Sequence, residues 1–98
     1  MFALSVMVEI HPEFLAQYRE TVLRQAKNCL NNEKGCLTFN VHGHSENPNR
    51  FFLYEIYESK AYYYDVHLAT SHLIQFRADT APWTKSKEIT TWNTISPE

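Results

Sequence analysis

The sequence predicts a small α+β domain in which the elements follow the order strand, helix, strand, strand, helix, strand. Four segments alternate apolar and polar residues or are rich in β-branched residues, as strands do. Two longer stretches have apolar residues at helical spacing, and a turn with Pro48 joins the second strand to the third. A chain of 98 residues has room for one modest core, so we expect a single domain over residues 1–98.

The first strand is predicted over residues 2–10, where every second residue is apolar. These residues share one face of the strand: Phe2, Leu4, Val6, Val8 and Ile10. Pro12 suits the first position of the helix that follows, and Gly35 is a natural stop after it. The buried face of that helix is predicted to carry Leu15, Tyr18, Val22, Ala26 and Cys29.

A second strand is predicted over 36–44, with Leu37, Phe39 and Val41 on one face. The third is predicted over 51–58, and both of its faces are largely apolar or aromatic. We therefore expect both sides of this strand to be covered.

A helical region is predicted from about residue 60 to Ala81, with a break near Thr70 or Ser71, either of which could cap a new helix. Pro82 ends this region, and the β-branched run over 88–95 predicts the last strand. The resulting order βαββαβ, with an antiparallel sheet, is the ferredoxin-like arrangement.

Composition excludes several classes of partner. The formal net charge is −2 and the sequence pI is near 6.2, which gives no electrostatic reason to expect nucleic acid or an anionic membrane. No apolar run is long enough to cross a bilayer, and the N-terminus does not resemble a signal peptide, so we expect a cytoplasmic protein. Two glycines are too few for a phosphate-binding loop. RNA-recognition domains share the element order, but their glycines and basic surface are missing here.

The aromatic content predicts self-association. Six Phe, six Tyr and two Trp are many for so short a chain to bury, and the strands are apolar on both faces. We therefore expect a homodimer.

Metal-ligand patterns are sparse. His42 and His44 share one face of a strand, but no third ligand follows from their spacing, and we interpret them as hydrated residues at the end of the strand. Cys29 and Cys36 fit no metal or redox spacing and are expected to be free thiols. No metal and no cofactor are predicted.

His67 and His72 are candidate functional residues, because histidine titrates near neutral pH. They lie five residues apart, so on a continuous helix they would point some 140° apart. One would then face a cavity while the other caps, packs or meets a partner chain. A purely structural role for each is the alternative.

The segment from Gly35 to Phe76 resembles the antibiotic biosynthesis monooxygenase (ABM) family. The matching features are Gly35 after the first helix, the third strand ending in Glu55-x-Tyr57, and the His-x-x-Thr-x-His element formed by His67, Thr70 and His72. The resemblance spans nearly the whole chain in the right order.

This resemblance implies a dimeric α+β barrel, in which two sheets pack face to face and each subunit has a cavity between its sheet and helices. Some members oxidise anthrones or quinols with O₂ and no metal or flavin. A similar short relative isomerises a phosphorylated hydroxy-diketone, the autoinducer phosphate. The Asn and Trp of haem-degrading relatives are missing, so haem degradation is not expected.

We therefore predict a cofactor-free monooxygenase acting on a small aromatic or quinol-type molecule, with His67 as the base. Tyr54, Tyr57 and Trp83 are predicted to line the pocket or hydrogen-bond the substrate oxygens. Glu55 is predicted to orient a neighbouring polar group, or else to form a surface or interface ion pair. A cofactor-free isomerase that uses the same base, and a ligand-binding dimer without catalysis, are the alternatives.

Overall fold

The computed structural model describes residues 1–96 as one four-stranded antiparallel sheet with its helices packed on one face. The strands, in the spatial order β2-β3-β1-β4, are β1 (Phe2–Ile10), β2 (Cys36–Gly43), β3 (Arg50–Tyr57) and β4 (Thr84–Asn93). The helices are α1 (Leu15–Asn32), α2 (Lys60–Asp65) and α3 (Ser71–Thr80). Short 3₁₀ turns occur at Pro12–Phe14, His67–Ala69 and Ala81–Trp83. The predicted ferredoxin-like order is therefore confirmed. No helix of the described residues is long and apolar enough to cross a membrane.

The alternation in β1 places its even-numbered residues in the core. These residues pack against α1, and the predicted stripe of α1 supplies the opposing side chains. The two elements contribute these buried residues to the core: Phe2, Leu4, Val6, Val8 and Ile10 from β1, and Tyr18, Val22, Ala26 and Cys29 from α1. Burial of these side chains is the main stabilising contribution of the fold.

The prediction that Leu37 shares a face with Phe39 and Val41 is wrong. The register between β2 and β3 shifts between Cys36 and Thr38, so Leu37 is the extra residue of a β-bulge and its side chain is exposed. Cys36 takes the inward position instead, opposite Tyr57.

Thr70 breaks the second helical region, as predicted. Its backbone is extended, and its hydroxyl accepts a hydrogen bond from the amide of Leu73, which caps α3. The same hydroxyl donates to the carbonyl of His67 at 2.8 Å, so Thr70 also holds the turn that carries His67.

The last strand begins four residues before its predicted start, at Thr84 instead of residue 88. Pairing with β1 extends from Phe2↔Asn93 to Ile10↔Thr84 and overrides the weak local strand preference of the polar residues 85–88. Gly35 follows the end of α1 as predicted, and it also has a packing role. A Cβ at this position would lie 2.6 Å from the ring of Tyr62.

The sheet face opposite the helices is uncovered and partly apolar. Met7 and Trp92 are about half exposed, at 51% and 54%, and Phe52 is exposed at 37%. The ring nitrogen of Trp92 donates to the hydroxyl of Ser5 across this face. We call this surface, with the half-buried Tyr54 and Ile56, the open sheet face.

Candidate active site

A cavity lies between the sheet and the helices. It encloses about 560 Å³ of space free of atoms, including its open mouth. Its walls are mainly apolar and aromatic: Leu4, Val6, Val8, Tyr18, Phe39, Leu53, Tyr63, Leu73, Phe76 and Ile89. The ionisable side chains among its lining are Glu55, His67, Arg77 and Lys87, together with the phenols of Tyr18 and Tyr63. A narrow apolar cavity with few polar groups is typical of a small-molecule site.

Glu55 and His67 are joined through Tyr57. Residues 55 and 57 share the helix-facing side of β3 because strand side chains alternate. The hydroxyl of Tyr57 donates to Oε1 of Glu55 at 2.6 Å, and the hydroxyl oxygen of Tyr57 lies 3.0 Å from Nε2 of His67. All three side chains are buried, with Glu55 4% and His67 2% exposed. Within residues 1–96 Tyr57 is the only hydrogen-bond partner of the Glu55 carboxylate, which leaves Oε2 for a ligand.

Glu33 continues this chain of hydrogen bonds on the far side of His67. It follows the last residue of α1, and its Oε1 lies 2.9 Å from Nδ1 of His67. Its Oε2 lies 2.6 Å from Nε2 of His72, which is on α3. Glu33 is itself buried, whereas His72 reaches a second groove beside Gln75 and Asp79. The hydrogen-bonded chain therefore runs from the cavity to the protein surface.

The expected divergence of His67 and His72 does not apply to this fold. It assumed a continuous helix, but the break at Thr70 places the two histidines in different helical segments. Both rings then turn toward the carboxylate of Glu33.

Burial shifts the acid–base properties of the central groups. It raises the pKa of Glu55 to about 7, with the negative charge of Glu33 adding to the effect while the Tyr57 hydrogen bond and Arg77 oppose it. Burial also lowers the pKa of His67, although its hydrogen bond to Glu33 acts the other way. The pKa of Tyr57 is raised by burial and by the charge of Glu55, so this phenol stays protonated at neutral pH.

Glu55 and His67 can share one proton. The single hydroxyl proton of Tyr57 points toward only one of its two partners at a time. When Glu55 is ionised, Tyr57 donates to it and accepts from Nε2–H of His67. When Glu55 is protonated and donates to Tyr57, the hydroxyl donates to Nε2. The raised pKa of Glu55 and the lowered pKa of His67 both favour the arrangement with the shared proton on Glu55.

The predicted site residues fall into two groups. Glu55, Tyr57 and His67 come together, whereas the side chain of Tyr54 lies on the open sheet face because it alternates with its neighbours on β3. Trp83 stacks on Phe14, with ring centroids 6.2 Å apart, and is not part of the cavity lining. Tyr57 does not line the cavity either, because its hydroxyl is held between Glu55 and His67. Glu55 is buried and forms no ion pair within residues 1–96, so it makes no surface ion pair, while the predicted interface ion pair stays a prediction.

Glu33 was missing from the predicted site. The signal that could have found it is the stripe of α1, because Glu33 follows Cys29 by four residues and so continues the buried face by one turn. A carboxylate at such a position needs a buried partner, and two histidines supply it.

One cluster has the side chains and spacing of a metal site. The ligand atoms of Cys29, Glu33 and His72 lie within 4.8 Å of one another. His42 and His44 are exposed, and Nδ1 of His44 accepts hydrogen bonds from two backbone amides of the following turn. The prediction that the protein needs no metal stays a prediction.

The fold and the cavity together define the class of protein. An antiparallel β2-β3-β1-β4 sheet with its helices on one face, and a cavity between the two layers, is the subunit architecture of ferredoxin-like α+β proteins. The sequence profile of the family described as "Antibiotic biosynthesis monooxygenase" matches residues 1–79, and the chain belongs to this family.

Solved structures agree on the fold. A Nitrosomonas europaea protein provisionally named an antibiotic biosynthesis monooxygenase superposes with a TM-score of 0.89 at 20% identity, over 97% of this chain and 99% of that one. A similarly named Deinococcus radiodurans protein superposes with a TM-score of 0.90 at 19% identity, over 100% of this chain and 96% of that one. A conserved Methanosarcina mazei protein superposes with a TM-score of 0.86 at 18% identity, over 96% of this chain and 92% of that one. No curated protein matches the chain significantly.

Proposed function

We propose that the protein is a monooxygenase that oxidises a small aromatic or quinol-type molecule with O₂ in the cavity between sheet and helices. Family membership supports a general monooxygenase-like function. The observation that carries the proposal is the buried chain Glu55–Tyr57–His67–Glu33, which brings a carboxyl group with a near-neutral pKa to an apolar cavity. A catalytic base works best when its pKa is close to the working pH.

The role predicted for His67 changes in this proposal. Both ring nitrogens of His67 already have protein partners, whereas Glu55 lines the cavity and its Oε2 has no hydrogen-bond partner within residues 1–96. Glu55 therefore accepts the substrate proton. His67 does not contact the substrate proton, and it acts on Glu55 through the hydroxyl of Tyr57, which is hydrogen-bonded to both side chains. Glu33 holds the ring of His67 in place and favours a proton on Nδ1.

The reaction balances without an external reductant. For a substrate with an acidic CH₂ group, Glu55 takes one proton, and the carbanion transfers electrons to O₂ to form a C–O–O⁻ group. Glu55 returns the proton to give a hydroperoxide. Loss of the second C–H proton to Glu55 then forms the C=O bond as the O–O bond breaks, and the departing hydroxide leaves as water. The carbon is oxidised by four electrons, and O₂ accepts all four.

The apolar walls support this chemistry, because they exclude water from the carbanion and concentrate an aromatic substrate beside the base. The test is O₂ uptake with a panel of anthrones and quinols, followed by mass spectrometry of the product formed under ¹⁸O₂. Incorporation of one ¹⁸O atom supports the proposal. Turnover of none of the panel, with turnover of a phosphorylated hydroxy-diketone instead, would assign the site to isomerisation.

We also propose that two chains pair through the open sheet face. Met7, Phe52 and Trp92 are exposed on this face, and their side chains are those that protein interfaces favour. Pairing there would give the dimeric α+β barrel that the resemblance to the family implies.

A further inference from the structure

We propose that Arg77 and Lys87 form an anion site at the mouth of the cavity, so that the substrate is an aromatic molecule bearing a carboxylate. Both cations belong to the cavity lining, and Glu55 lies in the same lining. This inference deepens the proposed function, because it names the substrate class of the same cavity.

Arg77 occupies an inward-facing position of α3. The face of α3 that packs on the core includes Leu73, Phe76 and Thr80, and residue 77 belongs to the same i, i+3, i+4, i+7 set. The side chain of Arg77 is exposed overall, and it belongs to the cavity lining. Its positive charge acts on Glu55, Tyr63 and His67, which places it within electrostatic range of the whole cavity.

Lys87 is exposed overall but lies on the helix-facing side of β4. It pairs with Val8, whose side chain is buried under the helices, so the two side chains leave the sheet on the same face. Ile89, two residues further along, points into the same cavity. Inward-pointing charges on edge strands also discourage sheet-to-sheet aggregation, which is the alternative role for Lys87 alone.

Neither of these two cations forms an ion pair among residues 1–96, although the charge of Arg77 does act on the more distant carboxylate of Glu55. Within residues 1–96 no acidic oxygen lies within 4.0 Å of either side chain, although Lys85 on the same strand pairs with Glu9 at 3.4 Å. Partial burial and the charge of Arg77 lower the pKa of Lys87. Two unpaired cations facing one apolar cavity match a ligand with an apolar body and an anionic end.

The test is direct binding, which needs no turnover and so separates this inference from the proposed reaction. The probes are 2-naphthoate, its uncharged amide 2-naphthamide, and 2-naphthyl phosphate, each titrated by calorimetry against the full chain. We expect 2-naphthoate to bind about tenfold or more tightly than the amide, which corresponds to about 1.4 kcal/mol. Tighter binding of the phosphate than of the carboxylate would overturn the assignment of a carboxylate and make the substrate a phosphate ester bound at the same two cations.

The matched variants are Arg77→Gln, Lys87→Gln and, as control, Lys85→Gln on the same strand. We expect each of the first two to remove most of the preference for the acid over the amide, and the control to retain it. Equal binding of acid and amide by the wild-type protein, or no binding of the acid at all, would overturn the proposal. An equal loss of preference in Lys85→Gln and Lys87→Gln would overturn it too, because a diffuse surface charge would then explain the binding.

Discussion

Nδ1 of His67 lies 2.9 Å from Oε1 of Glu33, although the two residues are 34 positions apart in the chain. The pair joins the end of α1 to the turn after α2, and both side chains are buried. A buried carboxylate is costly unless it is hydrogen-bonded, so Glu33 and His67 hold each other in place. The fixed ring then places Nε2 beside the hydroxyl of Tyr57, which in turn is hydrogen-bonded to Glu55.

Replacing His67 should slow turnover far more than replacing His72. We expect His67→Ala to reduce kcat by about 10²–10⁴-fold, because the carboxyl group of Glu55 loses the partner with which it shares a proton. His72→Ala should reduce it by much less, since His72 lies outside the cavity and contacts the site only through Glu33. Steady-state kinetics on both variants checks this.

The control for that comparison is structural. Removing either imidazole leaves the buried Glu33 with one partner fewer, at a cost of about 1–3 kcal/mol in the free energy of unfolding. His67→Gln, whose amide can still donate to Glu33, should recover stability without recovering turnover. Full activity in His67→Gln would contradict a role for the imidazole itself.

The stability of the protein should depend on pH through Glu55. Its pKa in the folded protein is raised from 4.5 to about 7, so the folded state favours the protonated carboxyl. The stabilisation is complete below about pH 4.5 and is lost as the pH rises through about 7, a change on the order of 3 kcal/mol. Glu55→Gln removes this dependence while keeping the acceptor for Tyr57. Chemical denaturation of both proteins from about pH 5 to 8 should therefore show the variant gaining stability relative to wild type, and parallel curves would refute the assignment.

Purified protein should contain no stoichiometric transition metal. The best ligand set of the described residues is Cys29, Glu33 and His72, but Glu33 and His72 are already bound to each other. The hydrogen bond with Cys36, together with burial, raises the pKa of the Cys29 thiol, so that a metal would have to displace a tightly held proton. Elemental analysis checks this. About one metal ion per chain, lost in His72→Ala and retained in His42→Ala, would replace the proton-sharing interpretation with a metal site.

The open sheet face should hold two chains together. Light scattering at micromolar concentration should give about twice the chain mass of 11.5 kDa. Phe52→Glu, in the centre of this face, should give monomers because it would bury an unpaired charge at the interface. Leu30→Glu, at an exposed apolar position on α1, is the matched control and should leave the dimer intact. A wild-type monomer would exclude the barrel.

The parts of the site that follow from local periodicity could be predicted, and those that depend on tertiary placement could not. Alternation on β3 places Glu55 and Tyr57 on one face, and the capping preference of Thr70 predicts the helix break. The convergence of His67 and His72 on Glu33 depends on how α1 and α3 pack, which no local pattern specifies. Likewise, only the packing of the helices decides which face of β3 is buried, and therefore why Tyr54 points away from the cavity.

The proposal that Glu55 is the catalytic base is tested most directly by the pH dependence of kcat/KM for O₂ uptake, measured in the wild-type protein and in Glu55→Gln. We expect the wild-type rate to rise with pH through an apparent pKa near 7, as Glu55 loses its proton and becomes able to accept one from the substrate. In Glu55→Gln this limb should disappear, and the rate should fall by about 10²–10⁴-fold. A variant that keeps both the wild-type rate and the same limb would show that Glu55 is not the base.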